Sequence, residues 1–188
     1  MEDGEGRAAM TRSTMTPTDV LREEHRVILG ALDLLEAAAR RLTAGTVLPE
    51  VWWLETIAWL RGFADRNHHA KEETSLFPAM VKAGVPSMGG PIGVMLEEHE
   101  RGRALIRAME AAEPAARAAR AREYVSLLRE HIDKENGVLF PLADAVLDEA
   151  AQRTLGRDFE AVLAEQGSEA SIPHAEAALE RLRAVLTN

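Results

Sequence analysis

Two stretches of the chain place a histidine four residues before a glutamate, a spacing at which both side chains can bind one cation. Residues 68–78 read HHAKEETSLFP and residues 131–141 read HIDKENGVLFP, with the same residue at six of the eleven positions. In a helix, residues four apart lie on one face about one turn apart, so their side chains reach a common point beside the helix. The two pairs are His68 with Glu72 and His131 with Glu135.

A second repeat precedes each pair. Glu-Glu-His stands at residues 23–25 and again at 97–99, which gives the order EEH, HxxxE, EEH, HxxxE along the chain. A single HxxxE is usually an exposed pair that contributes little, but two matched copies favour a shared site. If the two halves pack around a pseudo-twofold axis, four imidazoles and two carboxylates meet inside the protein, and burying them without a cation is costly. The candidate metal ligands are His25, His68, Glu72, His99, His131 and Glu135.

The types of donor indicate which metals this set suits. Two histidines per ion and two bridging carboxylates give each ion four protein donors, and an oxygen bridge makes five, so one position stays open for an outside ligand. The chain has no cysteine, which excludes thiolate ligands, disulfides and iron–sulfur clusters. Nitrogen and oxygen donors suit iron first, with manganese and zinc as alternatives. The sequence therefore predicts two non-haem iron ions in a centre of the Fe–O–Fe type.

Composition limits the class of protein that could hold this centre. The 188 residues suffice for one compact domain, and only 4% of them are aromatic, which favours helices over strands. The formal charge of −9 disfavours nucleic acid and anionic membranes as partners. No apolar run approaches the ~20 residues needed to cross a bilayer, and the N-terminus lacks the apolar core of a secretory signal. We therefore expect a cytoplasmic protein.

Helical periodicity and proline positions predict an all-α fold, an antiparallel four-helix bundle with an additional C-terminal helical segment. We expect a flexible N-terminal leader at 1–16, the bundle at 17–148 and a C-terminal helical extension packed on it at 149–188. The first helix is predicted to start with Thr18 or Asp19 as its cap and to reach about Leu42. The other predicted helices span Val51 to Val81, begin at Pro91, run from Pro114 towards Leu147, and flank the break QGSEASIP.

The ordered ligand set, with HHAKEETSLFP, PIGVMLEEHERG and HIDKENGVLFP around it, resembles the hemerythrin-like HHE cation-binding family. The resemblance covers about residues 18–148. It implies a four-helix bundle with a non-haem di-iron centre, in which Glu72 and Glu135 bridge the irons. The terminal ligands that it implies are His25, His68, His99 and His131.

One position departs from the oxygen-carrying members of that family. Those proteins have a fifth histidine four residues after the ligand on the third helix, and here that position is Arg103. We therefore expect two similar, open irons that react with a small oxidant such as peroxide, nitric oxide or dioxygen, in oxidative or nitrosative stress or iron handling. Such a protein could be a di-iron peroxidase or a nitric oxide-detoxifying oxidoreductase. The alternative is an oxygen- or iron-sensing or storage module without turnover. The electron donor and any protein partner are not defined by these residues.

Several residues beside the ligands have a role that the sequence leaves open. His69 and Glu73 form a competing HxxxE one residue out of register, and His69 is either an outer group or a replacement fifth ligand. Glu24 and Glu98 each precede a ligand histidine and are expected on the solvated surface. Arg103 is expected at the rim of the site or paired with a carboxylate. The Leu-Phe-Pro sequences at 76–78 and 139–141 are interpreted as core residues followed by a proline that kinks the helix.

Overall fold

The computed structural model describes residues 15–187, and in this range the chain forms helices and no strand. The predicted leader lies outside the described residues except for Met15 and Thr16. A short 3₁₀ turn, Ser168–Ala170, links the last two helices. The single-segment helices are α1 Pro17–Thr43, α3 Pro91–Ala111, α5 Glu149–Gln166 and α6 Ile172–Thr187. Helix α2 begins as Glu50–Trp59 and continues through Leu60–His69, Glu72–Leu76 and Phe77–Lys82. Helix α4 begins as Pro114–Lys134 and continues through Glu135–Leu139 and Phe140–Val146.

Contacts between the long helices show that neighbours run in opposite directions. In α1 and α4, Thr18 bonds Asp144 near one end, whereas Thr43 bonds Arg122 near the other. The same reversal relates α2 to α3, where the paired residues are Arg61 with Glu110 and Glu73 with His99. The predicted antiparallel four-helix bundle is confirmed.

The start of α1 differs from the prediction. Thr16 is the cap: its hydroxyl accepts from the Asp19 N–H, and the Asp19 carboxylate accepts from the Thr16 N–H, both at 3.2 Å. Pro17 then occupies the first helical position, where a missing N–H costs nothing. Thr18 lies inside the helix and donates to Asp144 on α4 at 2.6 Å, so it joins two helices instead of starting one.

The core consists of two apolar clusters separated along the bundle by the candidate ligands. The larger cluster contains Trp53 and Tyr124, and the smaller one contains both Leu-Phe-Pro phenylalanines. On α1, for example, His25 lies between Leu21 of the smaller cluster and Ile28 of the larger one. The polar site therefore forms a layer across the middle of the bundle, closed on both sides by apolar side chains.

Helices α2 and α4 widen where they supply the glutamates. The Phe77 N–H bonds the Glu72 carbonyl and the Phe140 N–H bonds the Glu135 carbonyl, which are π-helical contacts five residues apart. The next residue in each helix is a proline, whose ring has no N–H and clashes with the carbonyl four residues back. A wider turn relieves that clash. The Leu-Phe-Pro motif thus sets the helix geometry directly after each glutamate.

The last helix, α6, packs on the bundle against both α1 and α2. The Trp52 indole donates to the Leu182 carbonyl at 2.9 Å and the Trp59 indole to the Ala175 carbonyl at 3.1 Å, which fixes α6 along α2. Gly167, with φ of +80°, makes the turn after α5 that the sequence predicted. The domain boundaries, with the bundle at 17–148 and the extension at 149–188, stay a prediction. Within residues 15–187, no helix has the length and apolar character that crossing a membrane requires.

Candidate metal centre

All six predicted ligands meet in the polar layer, and the four bundle helices each supply one or two of them. None is more than 1% exposed. The two that share a helix lie one turn apart, as the HxxxE spacing predicts. By helix, the set is His25 from α1, His68 and Glu72 from α2, His99 from α3, and His131 and Glu135 from α4.

Each carboxylate lies between two histidines that belong to different helices. Glu135 Oε2 is 3.0 Å from His25 Nε2, while its Oε1 is 3.1 Å from His131 Nε2. The two oxygens of this carboxylate therefore face two different imidazoles. The other carboxylate is arranged in the same way, with Glu72 Oε1 3.8 Å from His68 Nε2 and Glu72 Oε2 3.4 Å from His99 Nε2.

The four candidate histidine ligands form two pairs. The rings of His25 and His68 are 4.6 Å apart, and the Nε2 atoms of His99 and His131 are 3.1 Å apart. Each pair forms a group of four with Glu72 and Glu135. Within a group, one ligand atom from each residue lies within 4.8 Å of a ligand atom of each of the other three. The two candidate ligand groups therefore share both carboxylates.

The outer nitrogen of every ligand histidine faces an acceptor. Because a carboxylate only accepts, it holds a proton on Nδ1, and in a neutral imidazole this leaves the lone pair on Nε2 directed into the site. This is the tautomer that binds a metal through Nε2. The Nδ1 contacts are His25 to Asn136 Oδ1 at 3.0 Å, His68 to Glu24 Oε2 at 3.0 Å, His99 to Glu73 Oε1 at 2.7 Å and His131 to Glu98 Oε2 at 3.0 Å.

Many of the inward-facing atoms have no hydrogen-bond partner, although they lie close together. Buried polar atoms without partners destabilise a fold by about 1–3 kcal/mol each, and more when charged. A bound cation would satisfy them together, so the residues fit a metal centre. These atoms are Nε2 of His25 and of His68 and both carboxylate oxygens of Glu72 and of Glu135.

Electrostatics prepare the imidazoles for a metal. Burial lowers the pKa of His68 to about 4 and that of His99 to about 3, so both are neutral at physiological pH. Burial, together with the charge of Glu135, raises the pKa of Glu72 well above its usual value. For Glu135 itself, burial also raises the pKa, but the positive charge of His131 outweighs it and lowers the pKa well below that value. Two buried carboxylates this close need a positive charge between them.

The family model of the hemerythrin HHE cation binding domain matches residues 16–143. The chain belongs to this family. The predicted resemblance is thereby confirmed, and the His and Glu residues described above are the ligand candidates of its cation site.

The HHE chain is also similar to curated proteins of mycobacteria. The alignment covers 85% of this chain and 67% of each relative, at 29% identity over 173 residues. No solved structure gives a significant match. The relatives are named Uncharacterized protein Rv1995 of Mycobacterium tuberculosis (strain H37Rv), Uncharacterized protein MT2051 of Mycobacterium tuberculosis (strain CDC 1551) and Uncharacterized protein Mb2018 of Mycobacterium bovis.

The sequence predicts Glu24 and Glu98 on the solvated surface, and this prediction is wrong, because both carboxylates contact candidate ligand histidines. Glu24 is only 3% exposed and accepts from Asn67, His68 and Lys71 on α2. Glu98 repeats this arrangement on α3, where it accepts from the equivalent histidine and lysine of α4. On a single helix, the residue before a ligand lies on a different face from the ligand. In this bundle, that face packs against the adjacent helix instead of lying in solvent. The repeated lysine three residues after each HxxxE histidine was the available signal.

Arg103 pairs with carboxylates, which confirms one of its two expected roles. Its guanidinium donates to Asp65 at 2.8 Å, and to Glu73 and Glu100 at 2.7 Å each. Glu73 therefore receives Arg103 and the His99 ring on the same oxygen. Arg103 fixes the acceptor that orients this imidazole.

Phenylalanine rings close the HHE site on the side of the smaller cluster. Phe140 stacks on His25 with ring centroids 5.3 Å apart, and Phe77 stacks on His99 at 6.0 Å. Both belong to the Leu-Phe-Pro sequences, which the sequence analysis interpreted as core residues, and both are buried. They keep water away from the ligand nitrogens and limit access to the centre.

Proposed function

We propose that the protein is a non-haem di-iron protein that reacts with or binds a small oxidant such as dioxygen, peroxide or nitric oxide. The observation that carries this proposal is the set of buried, partnerless ligand atoms, arranged as two histidine pairs around two shared carboxylates. We also propose that it is cytoplasmic and acts in oxidative or nitrosative stress or iron handling.

The donor set supports iron as the metal. Every candidate ligand is an imidazole nitrogen or a carboxylate oxygen, and the full sequence has no cysteine. Such donors suit iron, with manganese and zinc as competitors. Two imidazoles and two shared carboxylates leave each ion with room for an outside ligand. When bound, an iron pair would supply redox chemistry at these open positions.

The surroundings support a small, uncharged ligand. The inward-facing atoms are buried, and Phe77 and Phe140 lie against the imidazoles. A diatomic molecule or peroxide can reach such a site through small fluctuations of the bundle, whereas a larger substrate would have to open it. The acceptors on Nδ1 hold each imidazole in place during ligand exchange.

Metal analysis of the full chain tests this proposal. The protein is loaded anaerobically with ferrous iron, freed of excess metal and exposed to air while its absorption spectrum is recorded. We expect two irons per chain and new ligand-to-metal absorption bands. Both features should be lost in Glu72→Gln and Glu135→Gln, while a variant of the exposed His174, His174→Ala, keeps them. A folded wild-type protein that binds iron weakly, or without a fixed ratio, contradicts the dinuclear assignment.

Reactivity is tested separately. Iron-loaded protein is mixed with hydrogen peroxide or with nitric oxide, and consumption is compared with that of a His68→Ala/Glu72→Ala variant. Oxidant consumption well above that of the variant supports redox turnover. If wild-type protein and variant consume both oxidants equally, the enzymatic form of the proposal is refuted, and bound ligand without turnover then indicates sensing or storage.

A further inference from the structure

The two halves of the bundle agree at every candidate ligand, but a connected group of three polar residues beside one histidine pair has apolar counterparts in the other half. Aligning the HxxxE and EEH repeats pairs each polar member of this group with an apolar residue of the other half. The apolar members pack in or against the larger core cluster. The group consists of Asp65, His69 and Arg103, and its counterparts are Leu128, Ile132 and Leu29.

His69 lies at the second histidine pair. It is 4% exposed, and its ring stacks on that of His99 with centroids 3.8 Å apart. One ligand nitrogen each from His69, His99 and His131 lies within 4.8 Å of the others. Two nitrogens on opposite sides of one ion are separated by about 4.2 Å, because each metal–nitrogen bond is about 2.1 Å long. The three imidazoles therefore lie close to the spacing that one ion requires, and the His69 ring reaches that ion by rotating out of its stack on His99.

The outer side of His69 resembles that of an oriented ligand. Its Nδ1 faces Asp65 Oδ1 at 3.6 Å, and this oxygen accepts from Arg103 Nε at 2.8 Å. The His69 Nδ1 atom is buried and has no hydrogen-bond partner at that distance. With Nδ1 directed towards a carboxylate, Nε2 is the nitrogen left for a metal. Shortening the contact with Asp65 would satisfy Nδ1 and leave Nε2 free to bind an ion.

We propose that His69 is a third imidazole ligand of the ion held by His99 and His131, with Asp65 and Arg103 as its positioning residues. The proposal rests on the dinuclear site proposed above and makes its two ions unequal, with three imidazoles on one and two on the other. It departs from the sequence-based expectation of two similar irons, because the imidazole absent at Arg103 is replaced by His69.

A cobalt titration with one matched substitution tests this assignment. His69→Ile places in the first half the residue that occupies the equivalent position of the second half, where Ile132 is buried. We expect wild-type protein and His174→Ala to bind two Co²⁺ ions. In His69→Ile, one of the two sites should lose at least about tenfold in affinity and change its visible spectrum, and the other should keep both. Equal affinities and unchanged spectra in His69→Ile overturn the proposal.

A second measurement needs no variant and so remains decisive if His69→Ile misfolds. In the Co²⁺-loaded wild-type protein, each ligand imidazole contributes one exchangeable, hyperfine-shifted N–H signal to the proton NMR spectrum. Five signals support His69 as a ligand, and four overturn it. Failure of the wild-type protein to bind two ions would instead refute the dinuclear site itself. The two failures are therefore distinguishable.

Positioning by Asp65 has its own readout. Asp65→Asn keeps the size of the side chain but weakens the acceptor for His69. We expect the His69 N–H signal to shift and the affinity of the three-imidazole site to fall about 10- to 100-fold. If neither the signal nor the affinity changes, Asp65 does not position His69.

Discussion

Glu24 and Glu98 occupy equivalent positions in the two halves but should differ greatly in their effect on stability. Each accepts from a ligand histidine and from the lysine three residues after it. The Lys71 side chain that faces Glu24 is 2% exposed, whereas the Lys134 side chain that faces Glu98 is 40% exposed. Replacing either glutamate by glutamine keeps an oxygen for the imidazole but removes the charge opposite the lysine. The two substitutions therefore isolate the effect of burial.

The expected magnitudes follow from that difference. Glu24→Gln leaves the Lys71 ammonium buried beside a neutral side chain, which costs about 3–5 kcal/mol of unfolding free energy. Glu98→Gln leaves Lys134 free to turn into water, so the cost is about 1 kcal/mol or less. For a chain of this size, 1 kcal/mol corresponds to about 2–4 °C in Tm. We expect Tm to fall by about 6–20 °C in Glu24→Gln and by no more than about 4 °C in Glu98→Gln.

Thermal unfolding of the metal-free proteins, followed by circular dichroism, measures both values. The control is Glu24→Gln combined with Lys71→Met, because removing the buried charge should recover about 2 kcal/mol or more of the loss. Equal losses in the two single variants would refute the argument from burial. So would a double variant that is less stable than Glu24→Gln alone.

Two further predictions concern pH and the proline-widened turns. Metal-free protein should lose about 2–3 kcal/mol of stability per pH unit as pH falls from 6.0 to 4.5, measured by chemical denaturation. Unfolding then lets His68, His69 and His99 take up protons, because burial lowers their folded pKa values to about 4, 3 and 3. Burial raises the pKa of Glu72, so this residue releases one proton on unfolding, and the net uptake is about two protons. Stability that is constant over this range would contradict the burial of neutral histidines. Pro78→Ala restores an N–H to α2, so we expect an unchanged or higher Tm. Ferrous iron should bind about tenfold more weakly in a metal titration. Equal binding would show that the wide turn does not position the ligands.

Much of the fold followed from local signals in the sequence. Pro91 and Pro114 begin helices where predicted, because proline is suited to the first helical position and to few others within a helix. The cap of α1 was predicted two or three residues too late, since Thr18 and Asp19 both match the preference for a cap. Thr16 takes this role because Pro17 follows it and Asp19 completes the reciprocal pair.

The convergence of the ligands was predictable for a different reason, namely that the sequence repeats. Each HxxxE defines a helix face by itself, and the second copy implies a symmetric partner for it. The surroundings of the ligands were harder to predict, because they depend on contacts between helices. Glu24 and Lys71 are polar in the sequence, and only the packing of α1 on α2 shows that each is buried by the other.

The symmetry of the ligands does not extend to the groups that orient them, and this difference bears on how the centre works. His99 directs its outer nitrogen at Glu73, whereas the equivalent His25 faces the neutral side chain of Asn136. A charged acceptor makes an imidazole the stronger donor to a metal, and here Arg103 holds that acceptor in place. With His69 as the proposed third imidazole ligand, these contacts concentrate donor strength at one of the two proposed ion positions. A repeated hairpin thus supplies the paired ligands, while substitutions around one pair make the two positions chemically different.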